Sequence, residues 1–227
     1  MDLSLIETLR WEPEAGFVRL ERHLARLGHS AAALGLPGAE GAQAALTQAV
    51  KAAVANAASA PGNAATTLPS TAQPAPLRVR LELFGDGRIE VKTAPFAPLA
   101  ADATWTVGIA RTRLSSADPL LRHKTSRRTA YEAARAEFAA GAADEVLLLN
   151  ERGEVCEGTI TSVFVDDGTG ILKTPTLACG LLAGVLREDL IASGRAREAM
   201  LQAGDLAAGR LFVGNSLRGL IAARLSP

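Results

Sequence analysis

The stretch Arg122-His123-Lys124-Thr125-Ser126-Arg127-Arg128 is the most informative part of this 227-residue chain. Lys124 is one of only four lysines, whereas the chain contains twenty arginines. Arginine does not lose its proton in proteins and so cannot form a Schiff base, whereas a desolvated lysine can. Lys124 is therefore a candidate for covalent chemistry. A solvated lysine in a basic run is the ordinary alternative when the stretch is taken alone.

Composition restricts the class of protein. Apolar residues make up 48% of the chain and the formal net charge is zero, which predicts a globular protein and gives no support to nucleic-acid binding. Cys156 and Cys179 have no CxxC spacing, and the three histidines form no metal-binding pattern, so we expect no metal. The N-terminus does not resemble a signal peptide, and the longest uncharged stretch, 52–77, is rich in proline. We therefore expect a cytoplasmic protein without a membrane span.

Hydrophobic periodicity predicts an α+β chain of two domains. Residues 1–95 are expected to form a small α/β domain, and residues 101–227 a larger domain. Residues 61–76, rich in Ala, Pro, Ser and Thr, are predicted to be a disordered insertion. Residues 93–99 are predicted to be the linker between the domains.

Individual elements follow from the same patterns. In the first domain we expect a strand at 3–10, helices at 21–34 and 40–58, and a strand at 77–84. In the second we expect a strand at 105–110 and three helices. The predicted helices of the second domain span 126–140, 182–193 and 196–203.

Three features that follow Lys124 add to its significance. Glu157 lies thirty-three residues later, between predicted strands, where a carboxylate could keep a pyridine nitrogen protonated. The segment Gly180-Leu181-Leu182-Ala183-Gly184-Val185-Leu186-Arg187 enters a predicted helix, whose free backbone N–H groups can bind a phosphate. Gly214-Asn215-Ser216 could add a hydroxyl and amides to the same phosphate. A lysine, a spaced carboxylate and two anion-binding loops are together what a pyridoxal 5'-phosphate (PLP) site requires.

Each of these features also has an ordinary interpretation. Glu157 could be a hairpin glutamate, and the two glycine-containing segments could be a loop-to-helix junction and a turn. On the first predicted helix Arg26 lies beside His23 and could bind a phosphate with two hydrogen bonds, but it could equally be a surface arginine.

The order of these elements, rather than any one of them, resembles the fold-type IV PLP enzymes. This is the class IV aminotransferase family, which includes branched-chain and D-amino-acid aminotransferases and 4-amino-4-deoxychorismate lyase. The matching segments are Leu5-Ile6-Glu7-Thr8-Leu9, His23-Leu24-Ala25-Arg26-Leu27, His123-Lys124-Thr125, Glu157-Gly158-Thr159 with Ser162-Val163-Phe164, Gly184-Val185-Leu186-Arg187 and Gly214-Asn215-Ser216-Leu217.

The resemblance implies a small N-terminal α/β domain, a larger C-terminal domain with a mixed, barrel-like sheet, bound PLP and usually a homodimer. It makes Lys124 the residue that binds the cofactor covalently and transfers protons, and Glu157 the partner of the pyridine nitrogen. Arg80 matches a family arginine that can face a substrate carboxylate. The resemblance also implies a phosphate-binding group formed by Arg26, Val185, Leu186, Ser216 and the adjacent Asn215.

The sequence departs from the family at several positions. Ser162 stands where the family often has Asn, and Leu186 replaces a frequent Thr. Thr129 stands where many aminotransferases have a Tyr, and the only tyrosine, Tyr131, is seven residues after Lys124.

Three functions remain open from the sequence. The short start before the first strand most resembles the lyase-type domain found fused behind aminodeoxychorismate synthase component I. We therefore expect a lyase that releases pyruvate and 4-aminobenzoate from 4-amino-4-deoxychorismate. The alternatives are a class IV aminotransferase acting on branched-chain or D-amino acids, and a PLP-binding module or pseudoenzyme that acts with an aminodeoxychorismate synthase partner.

Overall fold

The computed structural model describes residues 3–59 and 74–226 and confirms the α+β class. The chain divides into two compact units, Met1–Ala97 and Pro98–Pro227. Of the expected insertion, residues 61–73 lie outside the described residues, and residues 74–76 are irregular chain. No helix within the described ranges combines the length and the apolar character needed to cross a membrane.

The first unit is a four-stranded antiparallel sheet in the order β2-β1-β3-β4 with two helices. Alternation places Leu5 and Leu9 of the first strand and Leu81 of the third on one buried face, against which both helices pack. The first helix ends where Gly35 adopts a left-handed conformation with φ of 69°. The elements are β1 (Leu5–Glu12), β2 (Gly16–Phe17), α1 (Leu20–Leu34), α2 (Ala42–Ser59), β3 (Leu77–Leu83) and β4 (Ile89–Pro95).

The second unit contains an eight-stranded mixed sheet in the order β10-β9-β8-β11-β12-β5-β6-β7. The pairs β9–β10, β5–β12 and β5–β6 are parallel, and the other pairs are antiparallel. The elements are β5 (Thr104–Leu114), α3 (Thr129–Ala136), β6 (Glu145–Asn150), β7 (Val155–Gly158), β8 (Ser162–Asp166), β9 (Leu172–Pro175), α4 (Val185–Ala192), β10 (Ala196–Ala199), α5 (Asp205–Ala208), β11 (Arg210–Asn215) and β12 (Gly219–Leu225).

Two predictions failed because strand pairing overrides local propensity. The helix predicted at 196–203 is wrong, since Ala196–Ala199 forms β10 and pairs in parallel with β9. Alanine favours a helix in isolation, but a ladder that satisfies the backbone groups of the segment outweighs that small preference. The linker predicted at 93–99 begins too early, since Thr93 pairs with Val79 and β4 continues to Pro95.

Two further predictions concern the region of the site. The helix predicted at 126–140 is only α3, which spans eight residues. Glu157 does not lie between strands but within β7, where it pairs with Leu148 of β6. The segment Val155–Gly158 is buried throughout and too short to show an alternating pattern, so periodicity could not reveal it as a strand.

Candidate active site

Glu157 is a buried carboxylate in the second unit, with 6% of its surface exposed. Its Oε1 accepts a hydrogen bond from the Tyr131 hydroxyl at 2.7 Å and another from the backbone N–H of Leu182 at 3.2 Å. Burial raises the pKa of Glu157 to about 7, although these two hydrogen bonds and the charges of Lys124 and Arg128 oppose the rise. The carboxylate can therefore change its charge near neutral pH.

Lys124 lies in the loop between a short 3₁₀ helix, Pro119–Arg122, and the start of α3. Lys124 is half-buried, and its positive charge lowers the pKa of Glu157. The amine and the carboxylate that the sequence singled out are thus electrostatically coupled within one unit of the structure.

Asp118 links the start of the 3₁₀ helix before the Lys124 loop to the far end of that loop. Its Oδ1 accepts from the backbone N–H of Leu120 at 3.0 Å, and its Oδ2 accepts from the guanidinium of Arg127. A side chain that caps the helix before a loop and also binds the far end of the loop restricts the conformations that the loop can adopt. The local sequence thereby holds Lys124 at a defined place.

Arg128 links the segment after Lys124 to the turn after Glu157. Its Nη2 donates to the carbonyl oxygen of Thr159 at 2.5 Å, and its guanidinium lies 4.8 Å from the centre of the Tyr131 ring. The start of α3 is therefore tied to the end of β7 by a charged hydrogen bond and a cation–π contact.

Glu145 organises the turn that follows Glu157. This fully buried carboxylate accepts from the backbone and the hydroxyl of Thr159 at 3.1 and 2.5 Å, from the backbone of Ile160 at 3.0 Å and from the hydroxyl of Thr161 at 2.8 Å. A Cβ at Gly158 would lie 2.4 Å from the Thr161 hydroxyl, so the turn requires glycine there.

The first turn of α4 approaches the start of β8 closely. Gly184 is the residue before the helix, and a Cβ there would lie 2.4 Å from the hydroxyl oxygen of Ser162. Val185 and Leu186 occupy the first turn, where backbone N–H groups have no partner within the helix and the helix dipole favours an anion. The Leu186 side chain packs in an apolar cluster with Phe164. Leu186 can therefore bind an anion only through its backbone N–H.

The end of β11 lies beside the same helix turn. Gly214 pairs with Ser162 of β8, and a Cβ at Gly214 would lie 2.8 Å from the Leu186 side chain. Ser216, which is buried, follows directly. The side-chain amide of Asn215 donates to the backbone carbonyl of Ile160 at 3.1 Å and accepts from the backbone N–H of Arg218 at 2.9 Å, which fixes its orientation at the end of β11.

Arg26 and Arg80, the other two site residues expected from the sequence, lie in the first unit. Arg26 donates from Nε and Nη2 to the two oxygens of buried Glu7, at 2.9 and 2.7 Å. Burial would raise the pKa of Glu7, but Arg26 and the hydrogen bond with His23 hold it at about 2. Arg80 donates to Glu82 at 3.1 Å, and both residues alternate along β3 with the buried apolar residues of the core face. Phosphate binding by Arg26 and substrate binding by Arg80 stay predictions.

The residues brought together in the second unit fit a phosphorylated pyridine aldehyde. Lys124 offers an amine for the aldehyde, and the first turn of α4 offers N–H groups for the phosphate. Glu157 offers an acceptor for the ring nitrogen, because its Oε2 accepts no hydrogen bond from the described residues. We find no group of three metal-ligating side chains in ranges 3–59 and 74–226.

Three residues of this arrangement were not recognised from the sequence. Tyr131 could have been found as the only tyrosine of the chain, which lies seven residues after Lys124. Glu7 alternates with Leu5 and Leu9 on the core face of β1, and a buried carboxylate there requires a cation. Glu145 left no such signal, because its partners are in a turn fourteen to sixteen residues away.

Comparison with known proteins agrees with this architecture. The model of the family described as amino-transferase class IV matches residues 4–225. A Schizosaccharomyces pombe protein named as an aminodeoxychorismate lyase is 34% identical over 149 residues, which cover 62% of this chain and 63% of that protein. The chain thus spans less than two thirds of the length of this relative.

Two crystal structures carry different functional names. A Mesorhizobium loti protein named as an amino-acid aminotransferase is 48% identical, with a TM-score of 0.85 and coverage of 99% of this chain and 100% of that one. A protein named as a 4-amino-4-deoxychorismate lyase is 29% identical, with a TM-score of 0.74 and coverage of 99% and 84%. Because the family model matches nearly the whole chain, the protein belongs to the class IV amino-transferases, a family of PLP-dependent enzymes.

Proposed function

We propose that this protein binds PLP and acts as a lyase that releases pyruvate and 4-aminobenzoate from 4-amino-4-deoxychorismate. The observation that carries the proposal is the coupling of Lys124 to buried Glu157 beside the first turn of α4. The lyase names of the Schizosaccharomyces pombe relative and of one solved structure support this substrate.

Each residue has a distinct task in this proposal. PLP, when bound, supplies an electron-accepting ring that stabilises negative charge at the α-carbon of the substrate. The amine of Lys124 holds the cofactor aldehyde and then moves the proton at that carbon, a transfer that typically contributes about 10²–10⁴-fold to rate. Glu157 accepts a hydrogen bond from the ring nitrogen through Oε2.

The remaining predicted residues bind charged groups. The backbone N–H groups of Val185 and Leu186, the hydroxyl of Ser216 and the guanidinium of Arg26 bind the phosphate in this proposal. Arg80 binds a substrate carboxylate. A homodimer, a synthase partner and a cytoplasmic location stay predictions from the sequence.

The second candidate is an aminotransferase, which the name of the 48% identical Mesorhizobium loti structure favours. The same lysine and carboxylate serve both reactions, because both begin by removing the proton from the α-carbon. They differ in whether a keto-acid acceptor is needed. The third candidate is a PLP-binding module that acts with a synthase partner.

Borohydride labelling tests the cofactor site directly. Purified protein supplied with PLP is expected to absorb visible light and, after reduction, to carry the cofactor on the peptide that contains Lys124. Lys124→Ala should lose both signals. Lys173→Ala is the matched control, because Lys173 is paired with Asp167 at 2.7 Å and should retain them. Labelling that persists in Lys124→Ala would reject the assignment.

An assay without acceptor separates the three candidates. Formation of pyruvate and 4-aminobenzoate in the absence of any keto acid supports the lyase. Turnover that requires a keto acid rejects the lyase in favour of the aminotransferase. A protein that binds PLP at Lys124 but turns over neither class of substrate, except when a synthase is added, supports the binding module.

A further inference from the structure

The two oxygens of the Glu157 carboxylate are used unequally. Oε1 accepts from both the Tyr131 hydroxyl and the Leu182 backbone, at 2.7 and 3.2 Å. Oε2 accepts from neither, and no other described residue donates a hydrogen bond to it. Both hydrogen bonds therefore hold the same carboxylate oxygen, Oε1, and this fixes the direction in which Oε2 points.

Tyr131 is itself held on two sides. Its ring packs against the apolar cluster that contains Cys156, and the guanidinium of Arg128 lies 4.8 Å from the ring centre on another side. Arg128 is in turn anchored on the Thr159 carbonyl oxygen. Burial and the nearby Glu157 charge raise the pKa of Tyr131, so its hydroxyl keeps the proton that it donates.

We propose that Tyr131 is a positioning residue, whose hydroxyl holds Oε1 of Glu157 and so presents Oε2 to the ring nitrogen of the cofactor. This inference rests on the proposed function, and it assigns Tyr131 a contact with the carboxylate rather than with the cofactor. The residue stands seven positions after Lys124, while Thr129 occupies the position at which many aminotransferases have a tyrosine.

A hydrogen bond from Tyr131 also affects the charge of Glu157. The titratable and charged groups that interact with Glu157 in the described structure include Tyr131, Lys124, Arg128 and the Cys156 thiol. Hydrogen bonds donated to the ionised form of a carboxylate favour that form against burial. Loss of the Tyr131 hydroxyl leaves Leu182 as the single donor, so the pKa of Glu157 should rise further.

The single tyrosine makes this hydrogen bond measurable without any substitution. Cofactor-free protein prepared with tyrosine carrying ¹³C at Cζ gives one tyrosine signal, because Tyr131 is the only tyrosine. That signal is expected to shift in one step near pH 7 as Glu157 loses its proton. The step should vanish in Glu157→Gln. A signal that stays constant across the neutral range in the unsubstituted protein would overturn the proposal.

A matched pair of variants measures the effect on Glu157 itself. With ¹³C at Cδ of glutamate, Tyr131→Phe is expected to raise the pKa of Glu157 by about one unit, which corresponds to one hydrogen bond to an ionised group. Thr129→Val removes an exposed hydroxyl from the same helix and should leave that pKa unchanged. An unchanged pKa in Tyr131→Phe, or an equal rise in Thr129→Val, rejects the positioning role.

Addition of PLP to the tyrosine-labelled protein tests the direction of Oε2. A protonated ring nitrogen at Oε2 stabilises the ionised carboxylate, so the step seen at Tyr131 should move well below neutral pH. If PLP is attached at Lys124 and the step stays near pH 7, this inference fails while the proposed function stands. If PLP does not attach, the proposed function fails and the inference with it.

Discussion

Replacement of Glu157 by glutamine is expected to change how the stability of the cofactor-free chain depends on pH. Burial raises the pKa of Glu157 from 4.5 to about 7. The folded chain therefore keeps a proton that the unfolded chain releases, and the free energy of unfolding falls as the pH rises through this window. At about 1.4 kcal/mol for each pKa unit, the total loss is about 3 kcal/mol. Below pH 4.5 the loss is absent, and above about pH 7 it is complete.

Glutamine preserves the contacts while it removes the titration. Its amide oxygen can accept the hydrogen bonds that Tyr131 and Leu182 donate to Oε1. The variant should therefore show no decline from this position. Comparison of the two proteins below and above the window cancels any constant difference between the side chains. The free energy of unfolding of Glu157→Gln minus that of the unsubstituted protein should therefore be about 3 kcal/mol larger above the window than below it.

Urea unfolding at a series of pH values measures this difference. In a Trp11→Phe background the only tryptophan is Trp105, which packs in the core of the second unit and reports its unfolding. Glu137→Gln is the control, because hydrogen bonds from Thr112 and Arg111 lower the pKa of Glu137 to about 2, outside the window. Parallel profiles for the unsubstituted protein and Glu157→Gln would refute the dominance of burial at this carboxyl.

Two further predictions follow from close contacts. Gly158→Ala should destabilise the second unit by about 1–3 kcal/mol in thermal unfolding and weaken PLP binding, because the added Cβ overlaps the Thr161 hydroxyl. Gly204→Ala is the control and should change stability little, because its Cβ would meet no atom within 4 Å. Equal effects in the two variants would contradict the packing argument. Glu7→Gln should cost about 3–5 kcal/mol near neutral pH, because it removes the buried carboxylate charge that accepts two hydrogen bonds from Arg26. The unsubstituted chain should lose this advantage as the pH falls from 4.5 to about 2 and Glu7 takes up a proton. The exposed pair broken by Glu90→Gln should cost under about 1 kcal/mol, and a similar loss in both variants would count against the ion pair.

Strong local patterns were enough to predict the elements in which one face is apolar. The helix at 21–34 differs from α1 by one residue, and the strand at 77–84 matches β3 closely, because both carry a regular apolar face and end at glycine or a turn. Lys124 and Glu157 could also be selected from the sequence, because residue type determines which chemistry each side chain can perform and because the order of the matching segments resembles that of the family.

Only the tertiary structure decided how these residues work together. It made Ala196–Ala199 a strand through its pairing with β9, and it placed Tyr131 on the carboxylate of Glu157 across twenty-six residues of chain. It also brought the hydroxyls of Thr159 and Thr161 onto the Glu145 carboxylate, a contact that no local sequence pattern predicts. Residue type determines which chemistry is available, whereas the charge of Glu157 depends on burial and on donors from distant segments, which exist only once the chain has folded.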